Sequence, residues 1–301
     1  MAGQTKHDWK APMTQMTAEQ IRAARAKKPR IYARDFAQEI GITEAELCAA
    51  FLGSHATRIS ADPARLLPAV TTLGEVMALT RNESCVLEKV GQYDNFSAAD
   101  GVATVCHGTI DLRIDPAQWV HAFAWDEPTN KGPKRSIQIY DAHGEAVHKV
   151  HLREASDAAA WAVLVADLAA EDQGPELALL PPAPVPPVAA QGVQLASGTV
   201  EKLMYRAGEL GVSVRFTVES NGCVETHRGP IHRVLPAGPW INVLDPGLEL
   251  HLRMDHMAAV WRDGTVVEAF DAAGQRIVQM ATGDDAADGM WRGMLDELPT
   301  A

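Results

Sequence analysis

The chain has 301 residues, a formal net charge of −12 and 47 % hydrophobic residues, which is enough apolar material for about two globular domains. The excess of carboxylates argues against nucleic acid as a partner, because phosphate binding requires clustered cations. No apolar stretch approaches the roughly 20 residues that span a bilayer, and the first ten residues lack the apolar core of a signal peptide. We therefore expect a cytoplasmic protein without membrane insertion.

Three helices are predicted near the N-terminus. Residues 17–27 begin with a capping pattern, and residues 32–40 and 43–51 flank a glycine. The last two helices have the spacing of a helix–turn–helix motif. Because the second of them carries Glu44 and Glu46, which would repel phosphate, we interpret the two helices as a packing pair rather than a DNA-binding motif.

The remaining chain contains an internal repeat. Cys85 and Cys223 are 138 residues apart, and the Asp-Leu-Arg sequence at 111–113 matches the segment 250–253 at a spacing of 140. Further on, the spacing is 130: it relates Trp161 to Trp291 and the two Asp-Ala-x-Gly sequences that begin at residues 141 and 271. A drifting spacing between ordered matches indicates two copies of one module with insertions and deletions.

Each copy is predicted to be a β-sheet with a helix packed on it. Alternating apolar and polar residues flank each Asp-Ala-x-Gly turn, as in a β-hairpin, and amphipathic helices follow at 157–170 and 285–298. The predicted fold class is α+β, with two similar repeats that each form a large antiparallel β-sheet with packed helices. The predicted divisions are an N-terminal repeat with its extra helices at 1–172, a Pro/Ala-rich linker at 173–198 and a shortened C-terminal repeat at 199–301.

Sequence motifs along about nine-tenths of the chain resemble the haem-utilisation family of HemS, HmuS and ChuS. Examples are Glu-Lys-Val-Gly-Gln-Tyr at 88–93 and Ile-Asp-Leu-Arg at 110–113. Other matching segments lie at 33–37, 44–47, 73–84, 141–149, 222–223, 227–230, 238–246 and 250–253. The resemblance implies haem as the ligand, bound in a cleft between helices and sheet. It also implies a role in carrying or degrading haem, and it does not choose between the two.

The resemblance assigns some haem contacts and leaves others without a counterpart. Arg113 matches the family's arginine on the distal side of the iron, and Gln279 matches a glutamine on a return strand. The family's axial histidine belongs to a helical segment that is missing here, since no histidine occurs between His151 and His227. Ala281 and Asp284 stand roughly where the family has Tyr and Arg, so we expect a degraded haem site in the second repeat.

The first repeat supplies alternative candidates. If the copies superpose, Lys149 and His151 correspond to Gln279 and Ala281, with Lys134 and Arg135 on the neighbouring strand, so this region could hold an anionic ligand. His121 lies between two aromatic residues, and it is either a pocket residue or a half-buried, hydrogen-bonded histidine.

Two histidines are candidate iron ligands. Haem iron is commonly held by an imidazole nitrogen, and the candidates are His151 and His107, the second of which could equally be a surface turn residue. The first functional hypothesis is a haem-binding protein that exchanges haem with an importer or a haem-accepting protein. The sequence leaves haem-degrading activity undecided, because only Arg113 suits a distal role. The alternative hypothesis is a degenerate family member that has lost haem and acts as a protein-binding scaffold.

Overall fold

The computed structural model describes residues 16–106, 108–196 and 198–301. Thr17 and Thr43 each form a capping box with the residue three positions later, so the first and third helices begin where the sequence predicts. The α-helices in the described ranges are α1 (Ala18–Lys27), α2 (Ala33–Ile40), α3 (Glu44–Ala50), α4 (Pro63–Thr71), α5 (Ala158–Leu168), α6 (Thr199–Leu210) and α7 (Asp288–Asp296).

The strands form two antiparallel sheets. Sheet A has the spatial order β1 (Ala56–Ile59), β7 (His121–Glu127), β8 (Lys134–Tyr140), β9 (Ala146–Leu152), β2 (Val76–Arg81), β3 (Cys85–Gly91), β15 (Leu248–Arg253), β14 (Trp240–Asp245) and β13 (Val234–Ala237). Sheet B has the order β10 (Val193–Leu195), β16 (Ala259–Asp263), β17 (Val266–Phe270), β18 (Arg276–Thr282), β11 (Ser213–Ser220), β12 (Cys223–Pro230), β6 (Leu112–Ile114), β5 (Val102–Val105) and β4 (Phe96–Ala99).

The α+β class and the two similar repeats are confirmed, and the structure adds an exchange of strands between them. Sheet A takes its first six strands from the N-terminal half and its last three from the C-terminal half, and sheet B does the reverse. The exchange joins the halves through two strand pairs, β3 with β15 and β12 with β6. The domain divisions at 1–172, 173–198 and 199–301 stay predictions.

Each hydrophobic core combines both sheets. In one core, α6 and α7 pack on Phe216 and Met280 of sheet B and also on Leu87 and Leu250 of sheet A. In the other, α4 and α5 pack on strands of sheet A together with residues of β5, β6 and β12. Because these side chains point into the cores, the alternate residues of the same strands lie on outer faces that point away from them.

Strand pairing corrects one equivalence between the repeats. Cys85 pairs with Leu252 and Val86 with His251, whereas Cys223 pairs with Ile114 and Val224 with Arg113. Since Cys85 and Cys223 are equivalent, Arg113 corresponds to His251 and not to Arg253. The sequence match at a spacing of 140 is therefore displaced by two residues. Because side chains alternate with a period of two, Arg253 and His251 lie on the same side of the strand, so the displacement does not change the face to which Arg113 is assigned.

The two Asp-Ala-x-Gly turns form as predicted. Gly144 between β8 and β9 has φ 82°, and Gly274 between β17 and β18 has φ 76°, a left-handed conformation that favours glycine. The helix predicted at 285–298 differs in its first turn. Residues Asp285–Ala287 form a 3₁₀ turn because the Asp284 carboxylate accepts a hydrogen bond from the Ala287 backbone N–H at 2.8 Å, and α7 begins after it.

The linker region connects the same two turns. The backbone N–H of Leu180 donates to the carbonyl of Ala142 at 2.8 Å, and that of Val188 donates to the carbonyl of Gly274 at 3.0 Å. Between α5 and α6, the short strand β10 is the regular element in the described residues. None of the helices in the described part of the chain is long and apolar enough to cross a membrane.

The N-terminal helices cover part of the outer face of sheet A. Residues of α3 pack on Phe123 of β7 and Tyr140 of β8, and α1 and α2 pack on α3. We call this region, centred on Phe123, Tyr140 and Lys149, the covered face. On sheet B, no helix of the described ranges occupies the equivalent position before β11, because the Pro-rich segment replaces it.

Candidate functional site

Arg113 lies in the centre of β6 on the outer face of sheet B. Its neighbours across the sheet are Thr104 of β5 and Val224 of β12. The flanking residues Leu112 and Ile114 are buried in a core, so alternation places the Arg113 side chain outward, and it is exposed. Within the described ranges, its guanidinium makes no hydrogen bond or ion pair, which leaves its donors available to a ligand.

Gln279 lies on the same outer face. It pairs with Thr217 of β11 and Glu268 of β17, and its amide Nε2 donates to Oε1 of Glu268 at 2.8 Å. Strands β11 and β12 separate β18 from β6, so three interstrand spacings of about 4.8 Å place Arg113 and Gln279 roughly 14 Å apart across the sheet. We call the outer surface of β6, β12, β11, β18 and β17 the open face.

Further arginines lie on the open face. Arg215 of β11 is directly opposite Arg228 of β12, and Arg228 forms an ion pair with Asp111. Two cations at a directly opposed pair repel each other, which makes this position favourable for an anion. The outward arginines of β11 and β12 were not singled out from the sequence, although the alternating pattern of buried residues along β11 contains the signal.

Carboxylates neutralise the far side of the open face. Arg276 forms an ion pair with Glu219 at 3.1 Å. It forms a second ion pair with Glu268, in which Arg276 Nε and Glu268 Oε1 are 2.8 Å apart but are not aligned for a hydrogen bond. Among the arginines of the open face, Arg113 and Arg215 have no carboxylate partner within the described residues, so they mark the part of this face where an anionic group would bind. Asp284, which stands roughly where the family has an arginine, caps the 3₁₀ turn after β18.

On sheet A, Lys149 belongs to a buried ion-pair cluster. Its Nζ lies 2.5 Å from Oε1 of Glu44, the first residue of α3, and Arg81 forms an ion pair with the other oxygen of the same carboxylate. Burial alone would raise the pKa of Glu44, but Lys149 and Arg81 lower it to about 2. The charge of Lys149 is thus neutralised by the protein itself, and its use for an external anion stays a prediction.

The other predicted contacts lie apart from the open face. Burial and, to a lesser extent, the charges of Lys149 and Lys134 lower the pKa of His151 to about 4, so its imidazole is neutral at pH 7. His121 lies opposite Tyr140 on sheet A, and burial lowers its pKa. Arg135 forms an ion pair with Asp126 at 2.9 Å. Ile137, two residues later on β8, points into the core, so Arg135 lies on the inner side of the strand and not on the outer side with Lys149.

Except for the inward Arg135 and for His107, the predicted site residues therefore form two groups on the outer sides of the two sheets. Arg113 and Gln279 share the open face of sheet B, whereas Lys149, His151 and His121 share the outer side of sheet A. A single ligand on the open face cannot contact the second group. His107 lies outside the described residues, in the chain segment between β5 and β6. These site assignments stay predictions.

A buried polar cluster joins the two sheets between their inner faces. His148 of β9 accepts or donates through both ring nitrogens, with Nδ1 2.8 Å from Thr80 Oγ1 and Nε2 2.5 Å from Tyr93 Oη. Burial lowers the pKa of His148 to about 3. Nearby in the sheets, Lys89 Nζ is 2.9 Å from His227 Nδ1, and burial lowers the pKa of His227 to about 4. These contacts give the histidines a structural role.

Comparison with known proteins agrees with this architecture. The model of the haemin-degrading HemS.ChuX domain matches residues 41–168 and 186–298. The hemin transport protein HmuS of Yersinia pestis is 31 % identical over 333 aligned positions, which cover 93 % of this chain and 96 % of HmuS.

Two solved structures extend the similarity to the fold. Holo-PhuS, a heme-binding protein from Pseudomonas aeruginosa, has a TM-score of 0.87 and 32 % identity over 94 % of this chain and 98 % of PhuS. The heme-degrading enzyme ChuS of Escherichia coli O157:H7 has a TM-score of 0.82 and 25 % identity over 91 % of this chain and 96 % of ChuS. The chain belongs to the HemS/HmuS/ChuS family.

Proposed function

We propose that the protein binds haem on the open face of sheet B and carries it during haem utilisation in the cytoplasm. The observation that carries this proposal is the exposed Arg113 guanidinium, free of internal partners in the described ranges, on the same outer sheet face as a pair of opposed arginines. The similarity to HmuS, a hemin transport protein, and to the heme-binding protein PhuS supports the same ligand.

The residues of the open face suit the chemistry of haem. Haem combines a flat apolar macrocycle, two anionic propionates and an iron ion that takes an axial ligand. A sheet surface about 14 Å wide between β6 and β18 accommodates a planar molecule lying across four strands. Arg215 supplies donors for a propionate, since guanidinium groups match carboxylates in a two-pronged geometry, and Arg113 keeps the role on the distal side of the iron that the family resemblance gives it.

The iron ligand differs from the family pattern, as do the positions of Ala281 and Asp284. The one histidine in the strands of sheet B, His227, points inward and is buried. Of the two predicted ligands, His151 belongs to sheet A, whereas His107 lies in the segment that joins β5 to β6. We therefore assign the axial role to His107 within this proposal and give His151 none.

An uncovered site favours reversible carriage over catalysis. Water reaches Arg113 directly, and a ligand on an open sheet surface can pass to a second protein without displacing a helix. An importer or a haem-accepting protein is accordingly the expected partner. Degradation would require a protected iron and an electron donor in addition.

Titration of the tag-free protein with hemin tests the proposal. We expect a saturable one-to-one shift of the Soret band, and about 10- to 100-fold weaker binding in Arg113→Ala, because a hydrogen bond to a charged group contributes about 1.5–3 kcal/mol. His107→Ala should alter the band position, whereas the matched sheet A control His151→Ala should bind as the unaltered protein does. Spectra that match free hemin throughout would contradict haem binding and favour the scaffold hypothesis.

A further inference from the structure

Two carboxylates and an imidazole meet on the outer side of sheet A, where β3 and β15 pair. Glu88 of β3 lies directly opposite Glu249 of β15, and His251 follows two residues later on the same side of β15. One ligand atom from each of the three side chains lies within 4.8 Å of the other two. The cluster is on the opposite sheet from Arg113, so its argument does not depend on haem binding.

The imidazole of His251 is held in one orientation. Its Nδ1 is 2.7 Å from Oδ1 of Asn242, and the Asn242 amide is itself oriented because Nδ2 donates to the carbonyl of Leu235 at 3.2 Å. Since Oδ1 of an amide can only accept, Nδ1 carries the proton, and the lone pair is on Nε2. Nε2 faces Glu249, with its Oε2 at 3.6 Å.

This arrangement matches how proteins prepare a histidine for a metal ion. Metal-ligating histidines commonly donate the other ring N–H to an oxygen, which fixes the ring and its tautomer. Zn²⁺ and similar divalent ions bind imidazole nitrogen and carboxylate oxygen, and an incomplete protein set leaves positions for water. Side chains of Glu249 and His251 are 52 % and 30 % exposed, so an ion can reach them from solvent.

Charge supports the same reading. Carboxylates directly opposite each other in an antiparallel strand pair repel each other. The residues that flank Glu88 and Glu249 on the two adjacent strands are Leu79 and Leu244, so neither flanking residue is a cation. The equivalent positions of the other repeat carry Asp111, Thr226 and Arg113, so the duplication did not copy the cluster.

We propose that Glu88, Glu249 and His251 bind a divalent transition-metal ion of the Zn²⁺ type, with Asn242 as the positioning residue for the imidazole. The site is separate from the open face and occurs in one repeat only. Water completes the coordination, and rotation of the exposed Glu249 side chain closes the remaining distance to the other ligand atoms.

Calorimetric titration of the tag-free, chelator-treated full chain with Zn²⁺ tests the site, with Co²⁺ absorption bands as a second readout. We expect one bound ion per chain, no saturable binding in the double variant Glu88→Gln/Glu249→Gln, and at least about tenfold weaker binding in His251→Gln. Asn242→Ala, which keeps all three ligands, should weaken binding by about 10- to 100-fold.

The controls separate this proposal from haem binding and from misfolding. Glu209→Gln removes an exposed carboxylate of α6 and should leave Zn²⁺ affinity unchanged, and all variants should keep the thermal unfolding midpoint of the unaltered chain. The double carboxylate variant should also bind hemin normally. Absence of saturable Zn²⁺ binding, or equal affinity in the double variant and the unaltered chain, would overturn the proposal.

Discussion

The outer faces of the two sheets are built from equivalent strands, but they differ in whether a helix covers them. On sheet A, α3 packs on the hairpin of β8 and β9, and Glu44 forms ion pairs with both Lys149 and Arg81. On sheet B, no helix formed by the described residues covers the equivalent hairpin of β17 and β18, and Gln279 occupies the position of Lys149. A duplicated sheet therefore offers two equal surfaces, and the segment preceding each repeat decides which one remains available to a ligand.

Removing the anion that ties α3 to sheet A should have the largest effect. Glu44→Ala leaves Lys149 and Arg81 with their charges uncompensated in a buried setting, which costs about 3–5 kcal/mol when one partner of a buried pair is lost. We expect this decrease in the free energy of unfolding, measured by urea denaturation at pH 7. The exposed pair of Arg34 and Glu83 is the control, because Glu83→Gln should change the value by no more than about 1 kcal/mol. A loss that small in Glu44→Ala would contradict the role assigned to the cluster.

Acid should destabilise the fold through the buried imidazole of His148. His148 in β9 corresponds to Val278 in β18, so this imidazole has no counterpart at the equivalent position of the other repeat. Its pKa is about 3 in the folded chain and about 6.5 when exposed, so it contributes stability above pH 6.5 that is lost as the pH falls toward 3. Between pH 7 and pH 5, the expected loss from this group is about 2 kcal/mol.

The measurement is the urea midpoint as a function of pH. His148→Val should flatten the dependence between pH 7 and pH 5, although it costs stability at pH 7 by leaving Thr80 and Tyr93 without their partner. His151 and His227 shift in the same direction, so a residual slope should persist in the variant. An unchanged slope would contradict the assignment to His148.

Alanine substitutions at the equivalent glycines of the two hairpins should lower the stability of the protein by different amounts, and we expect this difference to be the smallest of the effects. A Cβ on Gly144 would lie 2.6 Å from Oγ1 and 2.9 Å from Cβ of Thr43, the capping residue of α3, whereas a Cβ on Gly274 would lie 2.8 Å from Pro187 Cβ in the linker. Both alanine variants incur the cost of a left-handed backbone, about 1–3 kcal/mol. We expect Gly144→Ala to lose about 1 kcal/mol more, because it also disturbs the N-cap of α3. If thermal unfolding shows the same loss of stability in both variants, the N-cap of α3 tolerates the added Cβ at position 144, which would contradict this prediction.

Local patterns were readable from the chain because they depend on neighbouring residues. The capping boxes at Thr17 and Thr43, the alternation around the Asp-Ala-x-Gly turns and the equivalence of Lys149 with Gln279 all hold in the structure. The equivalence of Arg113 was displaced by two residues, because the Leu-Arg pair at 112–113 matches 252–253 in sequence, whereas strand pairing aligns Arg113 with His251. The orientation of His251 by Asn242 was likewise invisible, because the two residues are joined by a hydrogen bond across β14 and β15.

The sequence by itself determined the duplicated α+β design, the family motifs and the Pro-rich segment before the second repeat, because spacing, alternation and composition are properties of the linear chain. Only the tertiary structure decided that the halves exchange three strands, that Lys149 is neutralised by Glu44, and that Arg113 and His151 lie on opposite sides. Those outcomes depend on which distant strands pair and which helix packs on which sheet. Such pairings are selected by the burial of whole surfaces, which no local stretch of sequence specifies.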